Sequence, residues 1–273
     1  MKNRRIPALL TAAVLLLLCG CGGAGREEPA ASEAETAPIV TEAPTEEVTE
    51  APTEAPTEAP TEPEVPQWLH SGIRSDGSFD EGTLFIGDSL TYGMVMQHLP
   101  QNGLLGDARY MAIIGAPAGN FFSLQTLRPY HEYTCTYSQE FHGLNYADAV
   151  ALAGETVTAV YYMMGTNYDP DLTAESYIRI MDHILEHCPN ATVYLQLIPY
   201  SSRLFTHHED TNAILRQVWE HYQALEEPRL LLIDTFTAIG ENVVSDGIHL
   251  NEEGMARWYE ALAAHALDNQ IPQ

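Results

Sequence analysis

The spacing of apolar residues divides the chain into three stretches. An apolar run covers Ile6 to Leu18, large apolar side chains are almost absent from Gly22 to about Pro66, and beyond Gln67 short apolar runs alternate with amphipathic ones. Within the last stretch Thr83 to Ile86, Arg109 to Ile114, Thr158 to Met164, Ala191 to Ile198 and Leu230 to Ile233 have the length and the β-branched or aromatic content of buried strands. Leu90 to Leu99, Leu172 to His187, Thr211 to Leu225 and Asn251 to Leu267 read as helices, and in the second of these Tyr177, Met181, Ile184 and Cys188 share one face. Parallel neighbours need crossover connections, so this alternation predicts an α/β domain with a parallel sheet covered on both faces. In such folds chemistry gathers beyond the C-terminal ends of the strands.

The first two stretches lie outside that domain. Lys2, Arg4 and Arg5 precede an apolar run too short for a comfortable membrane span, the pattern of a secretory signal. Leu18-Cys-Gly-Cys21 resembles the lipobox of bacterial lipoproteins, with Cys21 after the small Gly20 as the lipidated residue. Residues 1–21 are thus expected to be a signal, leaving the protein anchored at the extracytoplasmic face of a bacterial membrane through Cys21. From 22 to 66 the tetrad Thr-Glu-Ala-Pro recurs, as at Thr41 to Pro44, Thr49 to Pro52 and Thr57 to Pro60. Proline and like charges keep such a chain extended, a stalk reaching on the order of 100 Å at about 3.1 Å per residue.

Residues 67–273 have the size of one domain. Twelve of the 38 acidic residues sit in the stalk, leaving 26 in the domain against eight arginines and no lysine, a formal charge of about −18. That surface repels nucleic acid and other polyanions. A small neutral ester or an acetylated carbohydrate suits it better, and a monomer is expected. Cys135 and Cys188 are too few for a disulfide framework and read as free thiols or a single pair.

The residues just beyond the predicted strands supply the parts of an acyl-transfer site. Gly87-Asp-Ser-Leu90 puts Ser89 where a strand turns into a helix, and a serine needs a base to become a nucleophile. His249 can be that base, with Asp246, three residues earlier, fixing its tautomer. Donors for the oxyanion are the N–H of Ser89, that of Gly115 or Gly119, and the Asn167 amide.

Gly87-Asp-Ser-Leu90, Gly165-Thr-Asn167 and Asp246-Gly-Ile-His249, in this order, resemble the motif blocks of the SGNH, or GDSL, hydrolase family. The resemblance runs from about residue 83 to 265. It implies a flavodoxin-like three-layer α/β/α sandwich around five parallel strands, and hydrolysis of acyl or acetyl esters with neither metal nor cofactor. The second block departs from the family pattern: Ile113-Ile-Gly-Ala-Pro-Ala-Gly119 lacks the asparagine that usually precedes its glycines. The rival reading is a carbohydrate-binding surface protein that has kept the fold without the activity.

Three other signals compete. His183-Ile-Leu-Glu-His187 has the spacing of a zinc-peptidase motif, but falls on the polar helix face, lacks a third ligand and reads as exposed helix surface. His207-His-Glu-Asp210 reads as caps and solvated charge, or as a rim of the site. Tyr130 to Tyr137 with Phe121, Phe122, Phe141 and His142 form an aromatic-rich insertion, either packing beneath a loop or forming an acyl or sugar platform.

Overall fold

The computed structural model describes residues 69–123, 135–167, 169–203, 207–241 and 243–267. Cys21, the leader and the repeat stretch lie outside the described residues, as does most of the aromatic insertion. Among the described residues no helix is long and apolar enough to cross a membrane.

The strands are β1 (Thr83–Gly87), β2 (Arg109–Ile113), β3 (Cys135–Tyr137), β4 (Ala159–Met163), β5 (Thr192–Gln196) and β6 (Leu230–Ile233). They form one sheet in the order β3-β2-β1-β4-β5-β6. Five strands are parallel, as the alternation of runs predicts, and the short β3 adds an antiparallel edge beside β2. β3 was not foreseen. Three residues inside an aromatic-rich loop give too short a run for an alternating pattern to register.

Between the strands lie α1 (Ser89–Gly93), α2 (Leu99–Gln101), α3 (Tyr146–Ala153), α4 (Ala174–His187) and α5 (His207–Ala224), and after β6 come α6 (Thr235–Ile239) and α7 (Glu252–Leu267). α1 and α2 replace the single helix expected from Leu90 to Leu99, because the intervening Met94–His98 is π-helical. Pro100 cannot donate to the preceding turn and its ring crowds the carbonyl four residues back, which favours a locally widened helix. α4 starts where its cap dictates: Thr173 Oγ1 accepts from the Ser176 N–H in a reciprocal capping box.

The core explains why the chain selects this register. β1, β4 and β5 are buried on both faces. On one face Phe85, Tyr161 and Tyr194 sit in register on these three strands. Their rings stack at 5.2 and 4.7 Å between centroids, and Phe79 packs edge-on against the first two. Each such ring contributes about 2–3 kcal/mol through burial alone. The Tyr161 and Tyr194 hydroxyls donate to the carbonyls of Ser71 and His70, which ties the entering chain to the sheet. α7 lies over this face, its Trp258 Nε1 donating to Gln196 Oε1 at 2.6 Å. On the other face Tyr162 meets Tyr177 of α4 edge-on, and Tyr177, Met181, Ile184 and Cys188 are all buried as their spacing requires. The Cys188 thiol is free, with burial pushing its pKa up to about 12. The result is a three-layer sandwich.

Candidate active site

Strand order reverses at β1. The chain steps outward to β2, then returns past β1 to β4, so the C-terminal ends of β1 and β4 border a crevice. Ser89 follows β1 and Asn167 follows β4, which places both at this crevice.

The Ser89 side is built into the core. Asp88 is fully buried and caps α1, its Oδ1 accepting the Leu90 N–H at 3.1 Å. Its Oδ2 accepts the Thr166 N–H at 3.2 Å and so joins the β1 turn to the β4 turn. Burial lifts the Asp88 carboxyl to about 6, against the pull of these backbone donors. Tyr146 Oη donates to the Gly87 carbonyl at 2.8 Å from the layer below. Gly87 has no room for a side chain, because a Cβ there would run into Thr91 Oγ1 and come within 2.7 Å of the Met163 carbonyl. Ser89 is therefore held by its neighbours on three strands and helices, with only 8% of its surface exposed.

The other half of the site comes from an irregular loop before α7. Val244 and Leu250 form an antiparallel bridge at its base. Asp246 Oδ1 accepts from the backbone N–H groups of Ile248 and His249 at 3.0 and 2.8 Å, folding the loop around the carboxylate. Gly247 takes a positive φ of 91°, and its carbonyl accepts from Ser201 Oγ and the Arg203 N–H. A side chain at 247 would strike Arg203, so glycine is required on both counts.

Across the crevice the three predicted groups meet. His249 Nδ1 lies 2.8 Å from Asp246 Oδ2, and His249 Nε2 lies 3.0 Å from Ser89 Oγ, 160 residues away in sequence. The hydrogen bond to His249 holds the Asp246 carboxyl well below the usual range, with two backbone N–H groups adding to it. With Nδ1–H donated to that carboxylate, Nε2 carries the lone pair facing the serine hydroxyl.

Asn167 lies beside β2's loop, its Nδ2 donating to the Ala116 carbonyl at 3.1 Å. One amide hydrogen is thereby used and one is left. Gly115 takes a φ of 79° in the tight turn ending β2, whereas Gly119 is the exposed residue of a single turn of 3₁₀ helix (Ala118–Asn120) and borders a cavity. A Cβ on Gly119 would strike the Asp169 carboxylate, so the loops after β2 and β4 are in close contact here.

The competing signals fall elsewhere. His183 and His187 are half-buried rather than plainly exposed: the rings stack at 4.0 Å, His183 Nε2 contacts the Ala147 carbonyl at 3.0 Å, and Phe121 and Phe122 meet His183 edge-on. The helical wheel put them opposite Met181, but α3 packs along that flank and covers it. Among the described residues no three His, Cys, Asp or Glu side chains converge as metal ligands. Of the 207–210 cluster, His208 is buried, not solvated, and stacks on Phe236. His207 Nε2 contacts the Gly165 carbonyl at 3.1 Å and steadies the β4 turn. Phe121 and Phe141 are core residues, and Phe121 stacks on Tyr146 at 5.8 Å. Tyr146, Ser201 and Arg203 carry no sequence signal as supports, since each acts through backbone carbonyls that only the folded chain brings near.

No protein-family model and no curated protein matches this sequence. Solved structures do match in shape. An active-site mutant of a family two carbohydrate esterase from Clostridium thermocellum aligns over 68% of this chain and 63% of its own, at 13% identity and a TM-score of 0.50. A carbohydrate esterase of family 3 from Talaromyces cellulolyticus covers the same share of this chain and 96% of its own, at 16% identity and a TM-score of 0.48. A GDSL-like lipase structure from Parabacteroides merdae covers 71% and 99%, at 14% identity and 0.42. At such identities the likeness is one of architecture: the domain has the α/β sandwich of the SGNH/GDSL hydrolases.

Proposed function

We propose that this protein is a serine esterase that hydrolyses acyl or acetyl esters, with Ser89 as nucleophile, His249 as general base and Asp246 as the carboxylate that orients it. The observation that carries this reading is the unbroken relay from Asp246 Oδ2 through both His249 nitrogens to Ser89 Oγ. Ser89 Oγ attacks the ester carbonyl carbon as His249 Nε2 takes its proton. The imidazolium, stabilised by Asp246, then gives that proton to the leaving alcohol. Water, deprotonated by the same nitrogen, attacks the acyl carbon; the bond to Ser89 Oγ then breaks, Oγ takes the proton back from His249, and the carboxylic acid leaves. The tetrahedral oxyanion is assigned to the Ser89 N–H, the free Asn167 amide hydrogen and the Gly119 N–H. Gly119 is preferred to Gly115 because it faces open space while Gly115 serves the turn.

O-acetyl groups on carbohydrate are the favoured substrate. The domain's acidity disfavours polyanions, and the matched Clostridium and Talaromyces proteins are carbohydrate esterases. Lipidation at Cys21 and the repeat stretch would hold the enzyme at the outer face of the membrane, within reach of polymer. A relay with all three partners at hydrogen-bonding distance favours catalysis over a purely binding role. Turnover of a chromogenic acetyl ester by the wild-type chain, absent from Ser89→Ala, is the expected result. Equal activity, or equal inertness on several short esters and acetylated glycans, contradicts the proposal.

A further inference from the structure

Beyond Gly119 the surface opens into a cavity of about 560 Å³, bounded by Phe122 and the outer side of α4 from Thr173 to Asp182. Gly119, which belongs to the proposed oxyanion set, lies in its lining, so the cavity adjoins the proposed reaction centre on that side. The lining is not that of an acyl pocket, because charged groups on α4 face it. Arg179 lies with its guanidinium carbon 4.5 Å from the centre of the Phe122 ring. Phe122 is itself wedged by Phe121 and His183 at 5.1 and 5.4 Å, which fixes the surface on which the guanidinium rests. A stacked guanidinium keeps the N–H donors of its edge free. Among the described residues Arg179 has no carboxylate partner, although Glu175 lines the same cavity. Asp182, at the far end, is engaged by the Tyr222 hydroxyl at 2.6 Å.

An arginine offers donors only and a carboxylate acceptors only. The ligand that satisfies both at once carries hydroxyl groups, which donate and accept. A carboxylate-bearing ligand would gain Arg179 but meet Glu175, Asp182 and a domain of formal charge about −18. An alkyl chain would strip water from charges that it cannot replace.

The geometry points to this cavity as the subsite for the alcohol side of the ester, a neutral sugar unit of an acetylated oligosaccharide, with Arg179 on its Phe122 support as the specificity-determining residue. The assignment rests on the esterase reading above and goes further by naming what occupies the leaving-group side.

The test compares kcat/KM on an acetylated neutral xylo-oligosaccharide with kcat/KM on 4-nitrophenyl acetate, using the full chain. Arg179→Ala is expected to lower the glycan-to-aryl ratio at least tenfold, mainly through KM. Arg179→Lys should recover part of the loss, and Phe122→Leu should reproduce part of it by releasing the guanidinium. A ratio unchanged in all three variants overturns the subsite. A wild-type preference for an acetylated uronate oligomer, lost in Arg179→Ala, overturns the neutral sugar in favour of an anionic one. If the wild type turns over no ester, the esterase reading fails separately. The cavity is then judged by calorimetry of a neutral β-1,4-linked xylo-oligosaccharide with the Ser89→Ala chain: binding weakened tenfold by Arg179→Ala supports it, and no binding overturns it.

Discussion

The two halves of the candidate site are made in opposite ways. Asp88 and Ser89 sit at the centre of the sheet, one fully buried and the other 8% exposed, locked to β4 through Thr166 and to α3 through Tyr146. Asp246 and His249 sit on an irregular loop with 49% and 42% of their side-chain surface exposed, held by hydrogen bonds of the loop itself and of Ser201 and Arg203. In the proposed mechanism the core half carries the nucleophile and the loop half the base. A core position cannot change without a cost to folding, whereas an exposed loop side chain can be altered with folding left nearly intact.

The largest effect expected from this contrast is on the loop side. His249→Gln should lower kcat by on the order of 10⁶-fold. Because the ring is partly exposed and its partners can be hydrated, the thermal midpoint should stay within about 2 °C of wild type. A drop of many degrees in differential scanning calorimetry would mark His249 as structural and erase the distinction between the halves.

On the core side the expected signature is in stability. The Asp88 carboxyl is raised to about 6 from its ordinary value near 3.8, so the native state holds this proton more tightly than the unfolded chain does. Its contribution is fully present below about pH 4 and is lost as pH rises through 6. The full difference is on the order of 3 kcal/mol. Relative to Asp88→Asn, wild type should lose stability between pH 4 and 7 in denaturant titrations. Parallel profiles for the two proteins would show that burial does not govern this group.

A smaller change should follow Gly87→Ala. The added methyl meets Thr91 Oγ1 and the Met163 carbonyl, and overpacking of this kind costs about 1–3 kcal/mol. Urea unfolding should show that loss, with a parallel fall in activity as β1 shifts against β4. An unaltered midpoint would mean that the turn after β1 is softer than its packing suggests.

The same contrast governs how much could be read from the sequence. Buried parallel strands and the helix faces that cover them are strong local patterns, so β1, β2, β4, β5 and β6 appear within a residue or two of where their runs of Val, Ile, Leu and Tyr place them. The Ser89, Asn167 and His249 motifs were legible because each sits at a strand or helix boundary. α3 was missed: its alanines carry little amphipathic signal, and its start depends on Asn145 accepting the Asp148 N–H. The half-buried His183 and His187 were misjudged for a related reason, since a wheel drawn for α4 cannot know that the unforeseen α3 lies against it. Arg179 was likewise just one arginine among eight until the fold set it on Phe122.

The most direct test of Ser89 as nucleophile is labelling of the full chain with a serine-directed fluorophosphonate, followed by peptide mass spectrometry. The expected result is one adduct on the peptide containing Ser89, formed much more slowly in His249→Gln and absent in Ser89→Ala, with ester turnover lost in step. An adduct on another residue, or ester hydrolysis that persists in Ser89→Ala, would contradict it.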